Sequence, residues 1–249
     1  MKPITTIVQD WDIPEWSVKH RNEQRLESIL NSFNLAGSAN FYFLDYFRRK
    51  IIIDSPLSLI LRGHSKADAD EQGFEFFKQI LSRKEQTWLS QLNEAGYEFF
   101  LNYPKEKREG LLISYDLTFS TAKGEDVVLH HHLVPYRLCR NGNLWLGLCC
   151  VWASSQKESG NAAIYDRKTK ERYNFINKEF VKVAPLSFTE EELAILGRMV
   201  TGLSDKEIGE QLNISSLANF KRKKKELYKK LQVFTSAGAV HKAHLLGLI

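Results

Sequence analysis

Cysteine is scarce in this chain. The three present are Cys139, Cys149 and Cys150, two of them adjacent and none in a C-x-x-C pair. That spacing argues against a disulfide framework or a structural zinc site and fits a reducing compartment, where thiols pack as small apolar side chains. Long apolar runs are missing too: no stretch approaches the roughly 18 residues that a membrane-spanning helix needs. The opening residues, MKPITTIVQDWDIPEW, place Asp10 and Asp12 where the apolar core of a signal peptide would run. A cytoplasmic protein with no membrane partner is expected. Also absent are a phosphate loop, G-x-S-x-G, H-E-x-x-H and a convincing carboxylate pair, so neither an enzyme nor a cofactor is expected. Asp116 is the one acid beside the histidine run worth weighing, and its strand neighbours predict a surface position.

What is there is an ordinary folded composition, 43% hydrophobic and 26% charged over 249 residues. That length allows one large domain or two small ones. The net charge of +5 is bunched near the C-terminus, in LNISSLANFKRKKKELYKKL. A local patch of this kind says more about a polyanionic partner than the total does.

The pattern divides the chain into three segments, 1–37, 38–184 and 185–249. In the first, Val18, Leu26, Ile29, Leu30 and Phe33 share one face of an amphipathic helix over Trp16–Leu35, ended by Gly37. Such a helix packs on the next domain or on a second subunit. The second segment reads as α+β. NFYFLDYFRRKIIID gives two short strands with a turn near Arg48 and Arg49, and Ser55-Pro56 opens a short helix. Helical spacing runs from about Ala67 to Phe100. Leu111, Ile113, Tyr115, Leu117 and Phe119 then alternate with Leu112, Ser114, Asp116 and Thr118 as a half-buried strand. TAKGED and RNGN turn the chain through VVLHHHLVPYRLC into LWLGLCCVW, a three-strand antiparallel meander. SSQKESGN is a polar loop, and AAIYDRKTKERYNFI a smaller hairpin. Pro185 marks the boundary.

The last segment is all-α with four helices. Thr189 with Glu192 and Ser204 with Glu207 form capping boxes, Gly202 follows the first helix, the third covers Asn219–Leu231, and the fourth starts at Ser236. On the third helix Phe220, Leu227 and Leu231 share a face, from which Lys221, Arg222, Lys225 and Lys229 point away. Glu226 is the only acid among seven basic residues there. Like charges at i,i+4 repel, so this surface calls for phosphates to complete its neutralisation. A solvated amphipathic helix is the plainer alternative.

The stretch FTEEELAILGRMVTGLSDKEIGEQLNIS, with FKRKKKELYKKLQV after it, resembles the DNA-binding domain of LuxR-type bacterial transcription regulators. The likeness rests on Thr189, Glu192, Ile195, Leu196, Gly202-Leu203-Ser204, Lys206-Glu207-Ile208, Leu212, Ile214-Ser215 and Lys230-Leu231. The chain departs from the family by one extra residue between Ser215 and Phe220, by Lys223 where His is frequent, and by Gln232 where Gly is. The resemblance implies double-stranded DNA as partner, with Ser216, Asn219, Lys221, Arg222, Lys224, Lys225 and Lys229 at the groove or its phosphates. It also implies a homodimer to which the fourth helix contributes through Ala237, Val240, His241 and His244, with ordinary packing within the domain as the alternative for these residues. A sigma-factor-like or protein-interaction module acting through RNA polymerase is the alternative.

The middle segment resembles a PAS sensor domain, most closely in FYFLDYFRRKIIIDSP. That resemblance implies a five-stranded antiparallel sheet around a pocket, serving as small-molecule sensor, cofactor holder or dimerisation surface. Trp145, Trp152 and Tyr115 are candidate pocket walls. In His130-His131-His132 the outer two share a strand face, a spacing that suits a metal. No clear third ligand accompanies them, so no metal is expected, and two exposed histidines around a buried one is the plainer reading.

Overall fold

The computed structural model describes residues 21–36 and 40–249. The chain divides after Val183 into two compact units. The front unit is α+β and PAS-like, and the C-terminal unit is all-α. No helix among the described residues is long and apolar enough to cross a membrane.

The front unit is built on one antiparallel sheet. Its strands are β1 (Asn40–Asp45), β2 (Lys50–Ile52), β3 (Leu111–Ser120), β4 (Asp126–Leu138), β5 (Leu144–Ala153), β6 (Gly160–Asp166), β7 (Arg172–Ile176) and β8 (Glu179–Val183), in the order β2-β1-β5-β4-β3-β6-β7-β8. The first five make the expected sheet, with the β3–β4–β5 meander in place. The remaining three extend it, and β8 is a strand that the sequence reading passed over. Its five residues follow Asn177 and Lys178, both at positive φ, in a tight turn whose side chains carry no glycine signal.

Helix α1 (Arg21–Ala36) lies on one face of the sheet, where Leu26 and Leu30 are buried against Phe43, Ile52, Trp145 and Leu146. The expected helix thus packs on its own domain; Trp16, Val18 and Gly37 fall outside the described residues. The other face carries α2 (Lys66–Gln72), α3 (Phe76–Ile80) and α4 (Arg83–Asn102). Phe76, Ile80 and Leu92 enter the main core with Tyr42, Leu117, Phe119 and Leu129. The single long helical stretch is therefore broken. A 3-10 turn at Gly73–Glu75 interrupts it, because Gly73 at φ +55° lets Phe74 N–H reach the Arg49 carbonyl at 3.0 Å. A Cβ there would sit 2.2 Å from that oxygen. Ser55-Pro56 likewise opens no α-helix, only a 3-10 turn at Leu59–Leu61.

Strand β3 is not half-buried. Leu111, Leu112, Ser114, Tyr115, Asp116, Leu117 and Phe119 are all buried, so both its faces are covered. Alternation marks one wet face only where that face meets water.

The C-terminal unit holds α5 (Glu190–Val200), α6 (Asp205–Gln211), α7 (Leu217–Leu231) and α8 (Ser236–Leu246) around a core of Ile195, Leu196, Ile208, Phe220, Leu227, Leu231, Ala239 and Ala243. Both capping boxes form: Thr189 and Ser204 each accept the N3 amide and receive its Glu side chain in return. Ser216 caps α7, accepting the Asn219 amide at 3.1 Å. Asn213 takes positive φ in the α6–α7 turn, and Phe220 is fully buried despite the extra residue before it.

Candidate nucleic-acid interface and internal cavity

Helix α7 carries seven cations, and tertiary packing sorts them. Lys223 donates to Glu191 at 2.5 Å and Lys230 to Glu192 at 2.6 Å, which ties the rear of α7 to the first turn of α5. Lys224 donates to Asp205 at 2.6 Å, at the start of α6, and lies over the Tyr228 ring. Partial burial by itself would lower the Lys224 ammonium, but the Asp205 carboxylate outweighs it and holds its pKa above the ordinary value. In the same way burial would raise Glu192, while Lys230 and the Thr189 amide hold it down. Three of the seven charges are therefore matched by acids distant in sequence, a pairing that one helix read alone does not reveal.

The outward surface is left with Lys221, Arg222, Lys225 and Lys229, all exposed. Lys221, Lys225 and Lys229 follow each other at i,i+4, about 6 Å apart along the axis, and form no ion pair among the described residues. Arg222 is held by Glu226 at 2.7 Å and Asn219 at 3.1 Å. Of the expected site residues, Lys221, Arg222, Lys225 and Lys229 thus share one open face. Asn219 borders it, Ser216 is occupied as the helix cap, and Lys224 is turned toward α6. The open face presents like charges at the spacing where they repel.

The front unit contains a cavity of about 100 Å³ between α4 and the sheet. Leu92, Gly96, Phe99 and Phe100 form its helical wall and Ile113, Leu133, Leu144 and Ile164 its sheet wall, with Tyr46, Asn93 and Tyr97 as polar lining. Burial pushes the Tyr46 hydroxyl pKa up, and the nearby Cys149 thiol adds to that, so at neutral pH the phenol is a neutral hydrogen-bonding group.

None of the three aromatics taken as candidate pocket walls lines this cavity. Trp145 lies under α1, Tyr115 stacks on His131 within the main core, and Trp152 packs against His130 and His132. The histidines also differ from expectation. His131 is buried as foreseen, yet its Nε2 has no hydrogen-bond partner, and burial pushes its pKa down to about 3. His132 is buried as well, and the His130 side chain is only 16% exposed.

Asp116 is 1% exposed, not on the surface. It accepts from His130 Nδ1 at 2.7 Å, Ser154 Oγ at 2.6 Å and Asn161 Nδ2 at 3.0 Å. Burial would raise its pKa, but these donors, His130 foremost, hold the carboxyl below its ordinary value. Ser114 Oγ lies 3.0 Å from His130 Nε2 and completes a serine–histidine–aspartate line. Ser114 itself has no exposed surface, so the line has no substrate face and serves as a satisfied buried network.

No curated protein matches the chain. Among solved structures it is similar to a Vibrio cholerae VqmA dimer in the absence of target DNA, with 13% identity over 88% of each chain and a TM-score of 0.33. It is also similar to a Vibrio cholerae VqmA–ligand–DNA complex, with 14% identity over 88% of this chain and 89% of that one, at a TM-score of 0.32. A phage VqmA–DPO complex gives 13% identity over 89% and 88%, at 0.28. Residues 186–243 match the family described as bacterial regulatory proteins, luxR family. With its paired capping boxes, its buried Phe220–Leu227–Leu231 stripe and its open cationic face, the C-terminal unit is a LuxR-type helix-turn-helix DNA-binding domain.

Proposed function

We propose that the protein is a transcription regulator whose front unit receives a small-molecule signal and whose α7 reads the DNA major groove in a dimer. The observation that carries the DNA-reading part is the open Lys221–Lys225–Lys229 stripe with Arg222 beside it, left over after α5 and α6 have matched the other lysines. Phosphates neutralise the lysines and position the helix, while Arg222 reaches base edges.

The input role is supported by the cavity, whose walls are mostly apolar with a few hydroxyl and amide groups, the pattern of small-molecule sites. Its size is of the order of apolar cavities that admit a single small ring. Occupancy would act as a population shift, favouring those arrangements in which two DNA-binding units meet two half-sites.

The test is duplex binding by fluorescence anisotropy across salt concentrations, for the whole chain and a Lys221→Ala/Arg222→Ala double variant. The expected result is a steep salt slope for the whole chain and, for the variant, a slope about one unit smaller from the loss of Lys221, together with weaker binding from the loss of Arg222. Equal slopes would make the basic run a solvated face. Binding that appears only when RNA polymerase is added would replace direct DNA reading by action through the polymerase.

A further inference from the structure

The outer surface of α7 holds two parallel stripes of different character. One is the lysine stripe described above. The other is a hydrogen-bonded string in which Asn219 Nδ2 donates to Ser215 Oγ at 3.2 Å, Arg222 Nη2 to Asn219 Oδ1 at 3.1 Å and Arg222 Nη1 to Glu226 Oε1 at 2.7 Å. Each link spans three or four positions, so the string runs along one flank of the helix.

Glu226 is anomalous there. An exposed carboxylate on a face that lies against phosphates repels them and lowers affinity for every sequence alike. It is also a poor helix stabiliser. The pair is exposed, with side chains 61% and 62% accessible, and Arg precedes Glu, the weaker order at i,i+4. What the string does is fix the guanidinium. Arg222 is gripped at both terminal nitrogens, which holds the plane of its fork and leaves three of its five N–H donors unused. Guanine offers two acceptors, O6 and N7, in the major groove, and a planar fork matches them with two donors in fixed geometry, whereas an ammonium is a point charge on a flexible stem. A side chain already held in place loses less freedom on contact than a free one.

We propose that Glu226, with Asn219, positions Arg222 as a guanine reader, so that the one acid of α7 sets base preference at the expense of general affinity. The proposal rests on the DNA-reading function of the previous section. Glu226 is a positioning residue, since it acts through Arg222.

The experiment uses the full chain. Duplexes are selected from a library with a randomised core, and anisotropy then compares the selected duplex, copies with each guanine replaced by adenine, and a mixed-sequence duplex. Wild type is expected to depend on one guanine per half-site, whose replacement weakens binding about 5- to 150-fold. In Glu226→Ala that ratio falls at least fivefold, while the mixed-sequence duplex binds as tightly as to wild type or more so. Glu226→Gln, which keeps an acceptor, recovers part of the ratio, and Arg222→Lys lowers it at least as far as Glu226→Ala does. The proposal is overturned if Glu226→Ala keeps the full guanine preference, or if all duplexes tighten equally, which would make Glu226 only a repulsive charge. Failure of wild type to bind any duplex at low salt would instead remove the DNA-reading function itself.

Discussion

The two units of this protein handle polar groups in opposite ways. Every buried polar or charged side chain among the described residues lies in the front unit, including Asp45, Glu85, Arg108, Asp116 and Asp166. Arg108, Asp116 and Asp166 are each held by several partners, while His131 Nε2 and Ser58 Oγ are left without one. Arg108, for instance, donates to the carbonyls of Leu101, Tyr103 and Gly142, which fastens the end of α4 to the β4–β5 turn. The C-terminal unit buries only apolar side chains and keeps its charges in half-exposed pairs or in the open. The difference teaches what each surface is for. A sheet covered on both faces must satisfy its polar groups internally, which ties it to one arrangement around its cavity. A small helical unit that meets a polyanion must keep its charge available.

Substitutions can break or sharpen that contrast. The largest effect is expected in the small apolar core. Phe220→Ala, at a fully buried position, should cost about 3–5 kcal/mol and abolish cooperative unfolding of the C-terminal unit in calorimetry, with the front-unit transition unchanged. A single transition lost as a whole would mean that the units do not unfold separately.

Next comes the buried network. Asp116→Ala removes the acceptor of His130, Ser154 and Asn161 together and should lower front-unit stability by about 3 kcal/mol. A chemical-denaturation midpoint shifted by less than a third of that would show water replacing the carboxylate.

The third effect depends on pH. His131 titrates near 3 in the folded protein and near 6.5 when unfolded, so the unfolded state binds the extra proton between those values. Stability is therefore full above about pH 6.5 and falls as pH drops toward 3, by at most about 1.4 kcal/mol per unit. His131→Leu should flatten the front-unit denaturation midpoint over pH 4–6.5, and an unchanged pH profile would place the acid sensitivity elsewhere.

The smallest effect belongs to the half-exposed pairs. Glu192→Gln weakens the contact to Lys230 and the charge at the α5 cap, and should cost about 1 kcal/mol or less. A loss as large as that of Asp116→Ala would erase the distinction between the units.

Much of the C-terminal unit was legible in the sequence because its signals are local. Capping boxes span four residues, and the Phe220–Leu227–Leu231 stripe lies within one helix. The matching of Lys223, Lys224 and Lys230 was not legible, since Glu191, Asp205 and Glu192 lie 19 to 38 residues away. In the front unit the hairpin at Asn141–Gly142 could be read from turn chemistry, and that at Arg48–Arg49 from the aromatic and β-branched strands on either side. The burial of Asp116 and His132 could not, because period-2 alternation gives the face a side chain points to and says nothing of what covers that face.

By itself, the sequence determined most of the element order, the capping boxes that open the first two C-terminal helices and the presence of a cationic stripe, all set by backbone periodicity and near-neighbour chemistry. Only the tertiary structure decided which cations stay open, which polar groups are buried together and where the front unit leaves a cavity. Those outcomes depend on which distant side chains come within hydrogen-bonding or van der Waals reach, and the packed fold alone sets that reach.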